Sequence, residues 1–139
     1  MARPLERVAY VSTATLSLES LLVITDILAV SQRNNARDHL TGALEFSEGK
    51  FFQVIEGQTA DVDRLMNRVM ADRRHTDIEI VTRLHVEGRL FPDWSMTAPR
   101  IAPEMEPAIR KAVAESRSSP TAAIEMMRRI AMEDGIHSG

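Results

Sequence analysis

Residues 40–57, LTGALEFSEGKFFQVIEG, decide the fold of this chain. Two β-prone runs, 40–46 and 51–57, flank a short connection that contains Gly49. Such a pattern is typical of a β-hairpin, because glycine readily adopts the backbone angles that a tight turn requires. It is the strongest hairpin signal in the 139 residues, and the other elements are placed around it.

The second strand of this hairpin is apolar on both of its faces. Successive side chains of a strand point to opposite sides of the sheet. One side carries Phe51, Gln53 and Ile55, and the other carries Phe52, Val54 and Glu56. Two helices can cover only one face, so we expect the C-terminal helices or another subunit to cover the second.

Before the hairpin, residues 7–12 predict a first strand. An apolar stripe around Leu21, Ile24 and Leu28 then predicts a helix that begins near residue 15 and runs to about Arg33. The polar run 31–38 separates this helix from the hairpin.

After the hairpin, apolar residues at helical spacing predict a second helix, and two further strands follow it over 78–86 and 89–97. The stripe of that helix consists of Val62, Leu65, Met66, Val69 and Met70. The order β-α-β-β-α-β-β predicts an α+β, ferredoxin-like sheet with two helices on one face.

Beyond residue 98 three prolines precede two predicted helices, one over 109–116 and one that begins at Pro120 and ends near Gly135. Residues 99–139 are too few for a domain. We therefore expect residues 1–98 to form the main domain and 99–139 to be a helical extension of the same unit that covers the other sheet face.

Composition excludes several classes of protein. The net charge of −3 argues against a broad nucleic-acid surface. The chain has no cysteine, which excludes thiol catalysis, zinc fingers and iron–sulfur clusters. We predict no metal site, and the absence of a membrane span or signal peptide in the sequence predicts a cytoplasmic protein.

Three polar residues stand out near the predicted groove between sheet and helices. Gln53 lies mid-strand on a face that should be buried, so its amide needs partners, and a neighbouring backbone group is the simplest one. Tyr10, the single tyrosine, shares a face with Val8 and also needs a partner if it is buried. Asn35 continues the inward stripe of the first helix if the helical turn persists. Carboxamides both donate and accept, which suits a flat heterocycle held between apolar walls.

The combination of SQRNNARDHLTG, FFQVIEG, DRRH and FPDWSM, in this order, resembles the BLUF family of blue-light receptors that use FAD. The resemblance covers about residues 7–98. It implies FAD as cofactor and a photoactive trio made of Tyr10, Asn35 and Gln53. In this trio Asn35 binds the carbonyl and N–H edge of the flavin ring, and Gln53 bridges Tyr10 and the flavin.

The resemblance also assigns further residues to the cofactor site and to signalling. The apolar positions that line the flavin ring correspond to Ile27 and Phe51. A neighbouring contact to the flavin corresponds to Asn34. Positions near the ribityl and phosphate end correspond to Arg68, Asp72, Arg74 and His75. The signal-relaying strand corresponds to Trp94 and Met96.

The resemblance implies a switch and not an enzyme. Tyr10 gives an electron and then a proton to the excited flavin, the Gln53 side chain rearranges by rotation or tautomer change, and the electron and proton return. A changed hydrogen bond to a flavin carbonyl remains, with a slight, thermally reversible red shift. We expect no effector domain in residues 99–139, and so a homo-oligomer that signals by contact to a separate protein. A cyclic-dinucleotide phosphodiesterase is the leading partner class.

Three other functions compete. An acylphosphatase-like hydrolase would need an arginine in the loop after the first strand, where residues 12–16 read STATL. An RNA-binding sheet would need exposed aromatic residues with basic flanks. A light-insensitive interaction module would lack the flavin and would be colourless.

Overall fold

The computed structural model of the chain describes residues 5–14, 39–47, 49–71, 75–91, 94–97, 106–133 and 136–137. Its strands are β1 (Leu5–Ala14), β2 (Thr41–Ser47), β3 (Lys50–Gln58), β4 (His75–Val86), β5 (Trp94–Thr97) and β6 (Ile136–His137). Its helices are α1 (Thr59–Ala71), α2 (Glu106–Glu115) and α3 (Pro120–Glu133). The helix predicted up to Arg33 and the predicted end at Gly135 lie outside the described residues.

The strands form one sheet in the order β4-β1-β3-β2-β5-β6. The pairs within β4-β1-β3-β2 are antiparallel, and β5 joins β2 in parallel. The α+β, ferredoxin-like class predicted from the sequence is confirmed. The two-residue strand β6, which pairs with β5, was not predicted.

The β2–β3 hairpin depends on two glycines. Ser47 pairs with Lys50, so the turn has two residues, and Gly49 takes a φ of +79°. Gly42 has a φ of +145°, and a Cβ atom there would lie 1.9 Å from the carbonyl oxygen of Val54. Only glycine allows the two strands to approach so closely at this point.

The two faces of the sheet carry separate apolar clusters, as the alternation in β3 predicted. The first face, with Val8, Leu44, Phe51 and Ile55, packs against α1. The second face, with Ala9, Val11, Phe52 and Val54, packs against the C-terminal helices.

Helix α1 contacts the first face through four of the five predicted apolar residues, which are Val62, Leu65, Met66 and Val69. The prediction for Met70 is wrong, since it is 64% exposed. At 100° per residue, Met70 lies about 90° from the centre of the buried stripe. It is therefore on the flank of the helix and turns away from the sheet.

Helix α3 covers the second face with Ala123, Ile124 and Met127, and Val113 of α2 packs beside them. The backbone N–H of Ala123 donates to the carbonyl of Ser119, 3.0 Å away, so the first turn of α3 begins where the sequence indicated. Among the described helices, none is both long enough and apolar enough to cross a bilayer.

The last predicted strand, 89–97, is shorter than expected. The structure has β5 at Trp94–Thr97, and residues 87–91 are not in a strand. The backbone N–H groups of Leu90 and Phe91 donate to the carboxylate of Glu56, at 3.0 and 2.8 Å. These N–H groups bind a side chain and not a neighbouring strand, which explains the later start of β5.

Candidate functional site

Tyr10 and Gln53 lie directly opposite each other on the central strands β1 and β3. Both are buried, with exposed fractions of 3% and 4%. The Tyr10 hydroxyl donates a hydrogen bond to Oε1 of Gln53. The simplest interpretation of Gln53, an amide bound to backbone, is therefore corrected because its partner is the side chain of the single tyrosine.

The amide of Gln53 allows this buried pair to form hydrogen bonds in more than one arrangement. A glutamine that accepts through Oε1 keeps two N–H donors on Nε2. Rotation of the amide by half a turn exchanges the acceptor and the donors without changing the volume of the side chain. A phenol beside such an amide can therefore take part in two hydrogen-bond arrangements.

The pair lies among buried apolar side chains between the first sheet face and α1, and we call this region the Tyr–Gln groove. Besides Tyr10, its apolar residues are Val8, Leu40, Leu44, Phe51 and Ile55 from the sheet side and Val62, Leu65, Met66 and Val69 from the helix. Polar contacts in such surroundings are stronger than in water, and leaving one unmade is costly.

The pairing of β1 with β4 is irregular beside Tyr10. Ala9 pairs with Thr82 but Tyr10 pairs with Ile80, so Val81 is an extra residue in β4. Such bulges re-aim side chains and are frequent beside functional sites. The irregularity occurs at the residue whose hydroxyl binds Gln53.

A single row of paired residues crosses the sheet from Tyr10 to the C-terminal strand. Tyr10 pairs with Gln53, Gln53 with Leu44, Leu44 with Met96, and Met96 with Ile136. Residues in one row of a sheet are nearest neighbours through hydrogen-bonded backbone. The backbone therefore connects Gln53 to β5 through one intervening strand, β2, and to β6 through β2 and β5.

A family model described as sensors of blue-light using FAD, BLUF, matches residues 5–97. This match covers β1 to β5, and thus both Tyr10 and Gln53. The chain belongs to the BLUF family. FAD is the cofactor by which the family is defined.

Similar proteins fall into two groups. Photoactivated adenylate cyclase subunit beta of Euglena gracilis is 34% identical over 95 residues, which are 68% of this BLUF chain and 11% of the relative. The protein BlrB, a BLUF protein in its dark state, superposes with a TM-score of 0.72 at 26% identity, over 95% of this chain and 99% of BlrB. A bacterial light-regulated adenylyl cyclase superposes with a TM-score of 0.67 at 29% identity, over 90% of this chain and 39% of the cyclase.

This BLUF chain thus spans about a tenth of the length of the curated relatives that it matches. BlrB, by contrast, is similar over nearly its whole length.

The structure brings together some of the residues that the sequence singled out. Tyr10, Gln53 and Phe51 lie in the Tyr–Gln groove, and Arg68 is half-buried near the end of α1. Trp94 and Met96 lie in β5, where they pair with Gly42 and Leu44. The other predicted cofactor residues, or their side chains, lie outside the described part of the chain; they are Ile27, Asn34, Asn35, Asp72, Arg74 and His75.

The chemistry of the described residues suits a flavin ring. Their apolar cluster holds a phenol and a carboxamide that together can donate to a ring carbonyl and accept from a ring N–H. Gln53 and Tyr10 could provide the polar contacts to such a ring, and Phe51 an apolar one.

Sequence reasoning missed Glu56, which is fully buried. Its carboxylate binds Nε of Arg7 at 2.8 Å and the backbone N–H groups of Leu90 and Phe91. Arg89 strengthens the same junction by donating to the carbonyl of Glu56, 2.9 Å away. Glu56 therefore holds the segment that leads into β5. In the sequence Glu56 is only a charged residue before Gly57 near the end of a predicted strand, and this pattern does not indicate that it binds a distant segment.

Sequence reasoning also missed Glu45 on β2, which is only 1% exposed. Neither of its carboxylate oxygens has a hydrogen-bond partner among the described residues. It pairs with Phe52, a member of the second-face cluster, and α2 and α3 both pack against β2. Burial raises the pKa of the Glu45 carboxyl from 4.5 to about 8, because the charged form loses its water.

This burial predicts a pH-dependent stability. The pKa of Glu45 is higher in the folded chain than in the unfolded one, so the folded state holds the proton more tightly. The stabilisation is complete below about pH 4.5, decreases as the pH rises, and is lost once the pH passes about 8. Each pH unit in this window costs up to about 1.4 kcal/mol of unfolding free energy. Urea denaturation at several pH values measures this change of the unfolding free energy with pH.

Glu45→Gln should remove most of this dependence, because its amide is neutral at every pH. The matched control is Glu87→Gln, which changes an exposed carboxyl and should leave the dependence intact. An unchanged loss of stability between pH 5 and pH 8 in Glu45→Gln would assign the effect to another group.

Proposed function

We propose that this chain is a blue-light photoreceptor that binds FAD in the Tyr–Gln groove and responds to light through Tyr10 and Gln53. The observation that carries the proposal is the buried hydrogen bond from the Tyr10 hydroxyl to the Gln53 amide, in a member of the BLUF family. Asn35 and Asn34 complete the ring contacts in this proposal, and Ile27 lines the ring.

The bound FAD supplies blue-light absorption and an excited ring that accepts an electron. Tyr10 would supply one electron and then its phenolic proton to the excited ring, so its oxygen would stop donating to Gln53. The Gln53 amide, without this donor, would rotate or change tautomer. Return of the electron and the proton from the ring to Tyr10 would leave atoms and charges as before. What remains is a different set of hydrogen bonds, held by an energy difference of a few kcal/mol.

We further propose that β5 relays this change. The row Tyr10–Gln53–Leu44–Met96–Ile136 supports this, because a shift of the Gln53 amide acts on the strand that pairs with β5. Trp94 lies two residues from Met96 on the same strand and belongs to the same relay. The strand β6 follows α3, so the row ends at the C-terminal extension.

In this proposal residues 1–98 are the photosensory domain, and residues 99–139 are a helical extension of it. The chain acts as a homo-oligomer in the cytoplasm, and the extension passes the signal to a separate effector protein by direct contact. A cyclic-dinucleotide phosphodiesterase is the proposed class of effector.

The proposed contacts to the ribityl and phosphate part of FAD are Arg68, Asp72, Arg74 and His75.

Tyr10→Phe provides a direct test. The phenylalanine ring fills the same space but has no hydroxyl, so the variant should fold and bind flavin yet lose the light-induced red shift. Absorption spectra before and after blue light measure this. A full, reversible shift in Tyr10→Phe would mean that another residue is the electron donor.

The output has a separate test. The activity of a purified cyclic-dinucleotide phosphodiesterase is measured with this chain added in darkness and under blue light. A light-dependent change in activity supports this effector class, and equal activity under both conditions contradicts it while leaving the photochemistry to be judged by the spectra.

A further inference from the structure

A cavity of about 210 Å³ lies on the second face of the sheet, away from the Tyr–Gln groove. We call it the basic cavity. Its apolar lining includes Val11, Val113 and Ala114, and its charged lining consists of Lys50, Arg110 and Arg117. Val11 belongs to the second-face cluster, whereas Tyr10 belongs to the first. The sheet itself therefore separates the two sites.

Every ionisable side chain in the lining of the basic cavity is cationic. Nζ of Lys50 donates to the neutral hydroxyl of Thr13, 3.0 Å away. Nε of Arg117 binds the carboxylate of Glu79 at 2.8 Å, and both side chains are about half exposed. An ion pair at such exposure contributes little and can open for a competing anion. Three cations around one cavity are notable in a chain whose net charge is −3.

The spacing along α2 explains how the cations are presented. Arg110, Val113, Ala114 and Arg117 follow the i, i+3, i+4, i+7 pattern, so they share one side of the helix and of the turn after it. The two arginines lie at the ends of this stripe, and the small apolar residues lie between them. Lys50, at the start of β3, faces the stripe from the sheet.

We propose that the basic cavity binds a compact organic anion, namely a phosphate or carboxylate joined to a small apolar group. Arginine and lysine provide charge-assisted N–H donors for the anionic part. The apolar part would lie on Val11, Val113 and Ala114. The cavity is smaller than the roughly 300–1,000 Å³ of sites for drug-sized ligands, which favours a compact ligand. This inference concerns a site separate from that of the proposed photochemistry, and neither depends on the other.

Calorimetric titration of the full chain in darkness tests the proposal with three probes of similar size. They are phenyl phosphate, benzoate and the neutral phenol. We expect saturable binding of phenyl phosphate, weaker binding of benzoate because it has fewer acceptor oxygens, and no binding of phenol. Added salt should weaken the binding of both anions.

Variants then locate the site. Arg110→Gln changes an exposed residue and should preserve the fold, yet it should weaken phenyl phosphate binding by about tenfold or more. Lys50→Met should have a similar effect. Arg128→Gln is the matched control, since Arg128 lies on α3 outside the cavity lining and should bind as the unchanged chain does.

Three results would overturn the proposal. They are the absence of phenyl phosphate binding at millimolar concentration, equal binding of phenol, and unchanged affinity in both Arg110→Gln and Lys50→Met. Stronger binding of benzoate than of phenyl phosphate would keep the site but assign it to carboxylates.

Discussion

Gln53→Leu is expected to fold and bind flavin but to show no red shift under blue light. Leucine fills a similar volume on β3 and removes the amide that binds Tyr10. Both the dark hydrogen bond and the rearranged one need this amide, so no second arrangement is left to form. The hydrogen bond from the Tyr10 hydroxyl to Gln53 is lost, which costs about 0.5–1.5 kcal/mol of unfolding free energy.

The matched control for Gln53→Leu is Gln58→Leu on the same strand. Gln58 pairs with Leu5 at the far end of β3, five residues from the Tyr10 row. This variant should keep the full shift. A normal shift in Gln53→Leu would remove Gln53 from the mechanism, whatever the control shows.

Glu56→Ala is expected to lower the unfolding free energy by about 3–5 kcal/mol, because it leaves buried donors without their acceptor. The carboxylate of Glu56 is wholly buried and serves Arg7 and two backbone N–H groups, those of Leu90 and Phe91. Denaturant titration measures the loss.

Glu56→Gln tests whether both carboxylate oxygens are needed as acceptors. Its side chain has one acceptor oxygen, and its N–H₂ group would face at least one of the three donors, so we expect a large loss here as well. Glu125→Ala is the control, since Glu125 binds Arg128 and Arg129 at the surface of α3 and should cost less than about 1 kcal/mol. Equal losses in Glu56→Ala and Glu125→Ala would show that the Glu56 junction contributes nothing special.

The sequence predicted those parts of the fold that local patterns determine. The hairpin at 40–57 follows from two β-prone runs and one glycine turn, and the alternation in β3 predicted the two covered faces. The buried stripe of α1 followed from helical spacing. The prediction that Met70 belongs to this stripe was wrong, because spacing alone does not define how wide the buried stripe is.

The sequence could not predict features that depend on pairing between distant segments. The family resemblance implied that Gln53 bridges Tyr10 and the flavin, but the residue pattern alone could not predict this contact, because it depends on the register of β1 against β3, across 43 residues. The start of β5 depends on Glu56, 34 residues before Leu90. Glu45 was not singled out in the sequence, because its burial depends on the packing of the distant C-terminal helices against β2.

The light-minus-dark infrared difference spectrum of the purified, flavin-bound chain tests the central claim most directly. If light rearranges the Gln53 amide so that it binds a flavin carbonyl more strongly, the stretching band of that carbonyl moves to lower frequency and returns in darkness. The band should not move in Gln53→Leu. A carbonyl band that is unchanged by light in the unmodified chain, or that moves equally in Gln53→Leu, would contradict the account.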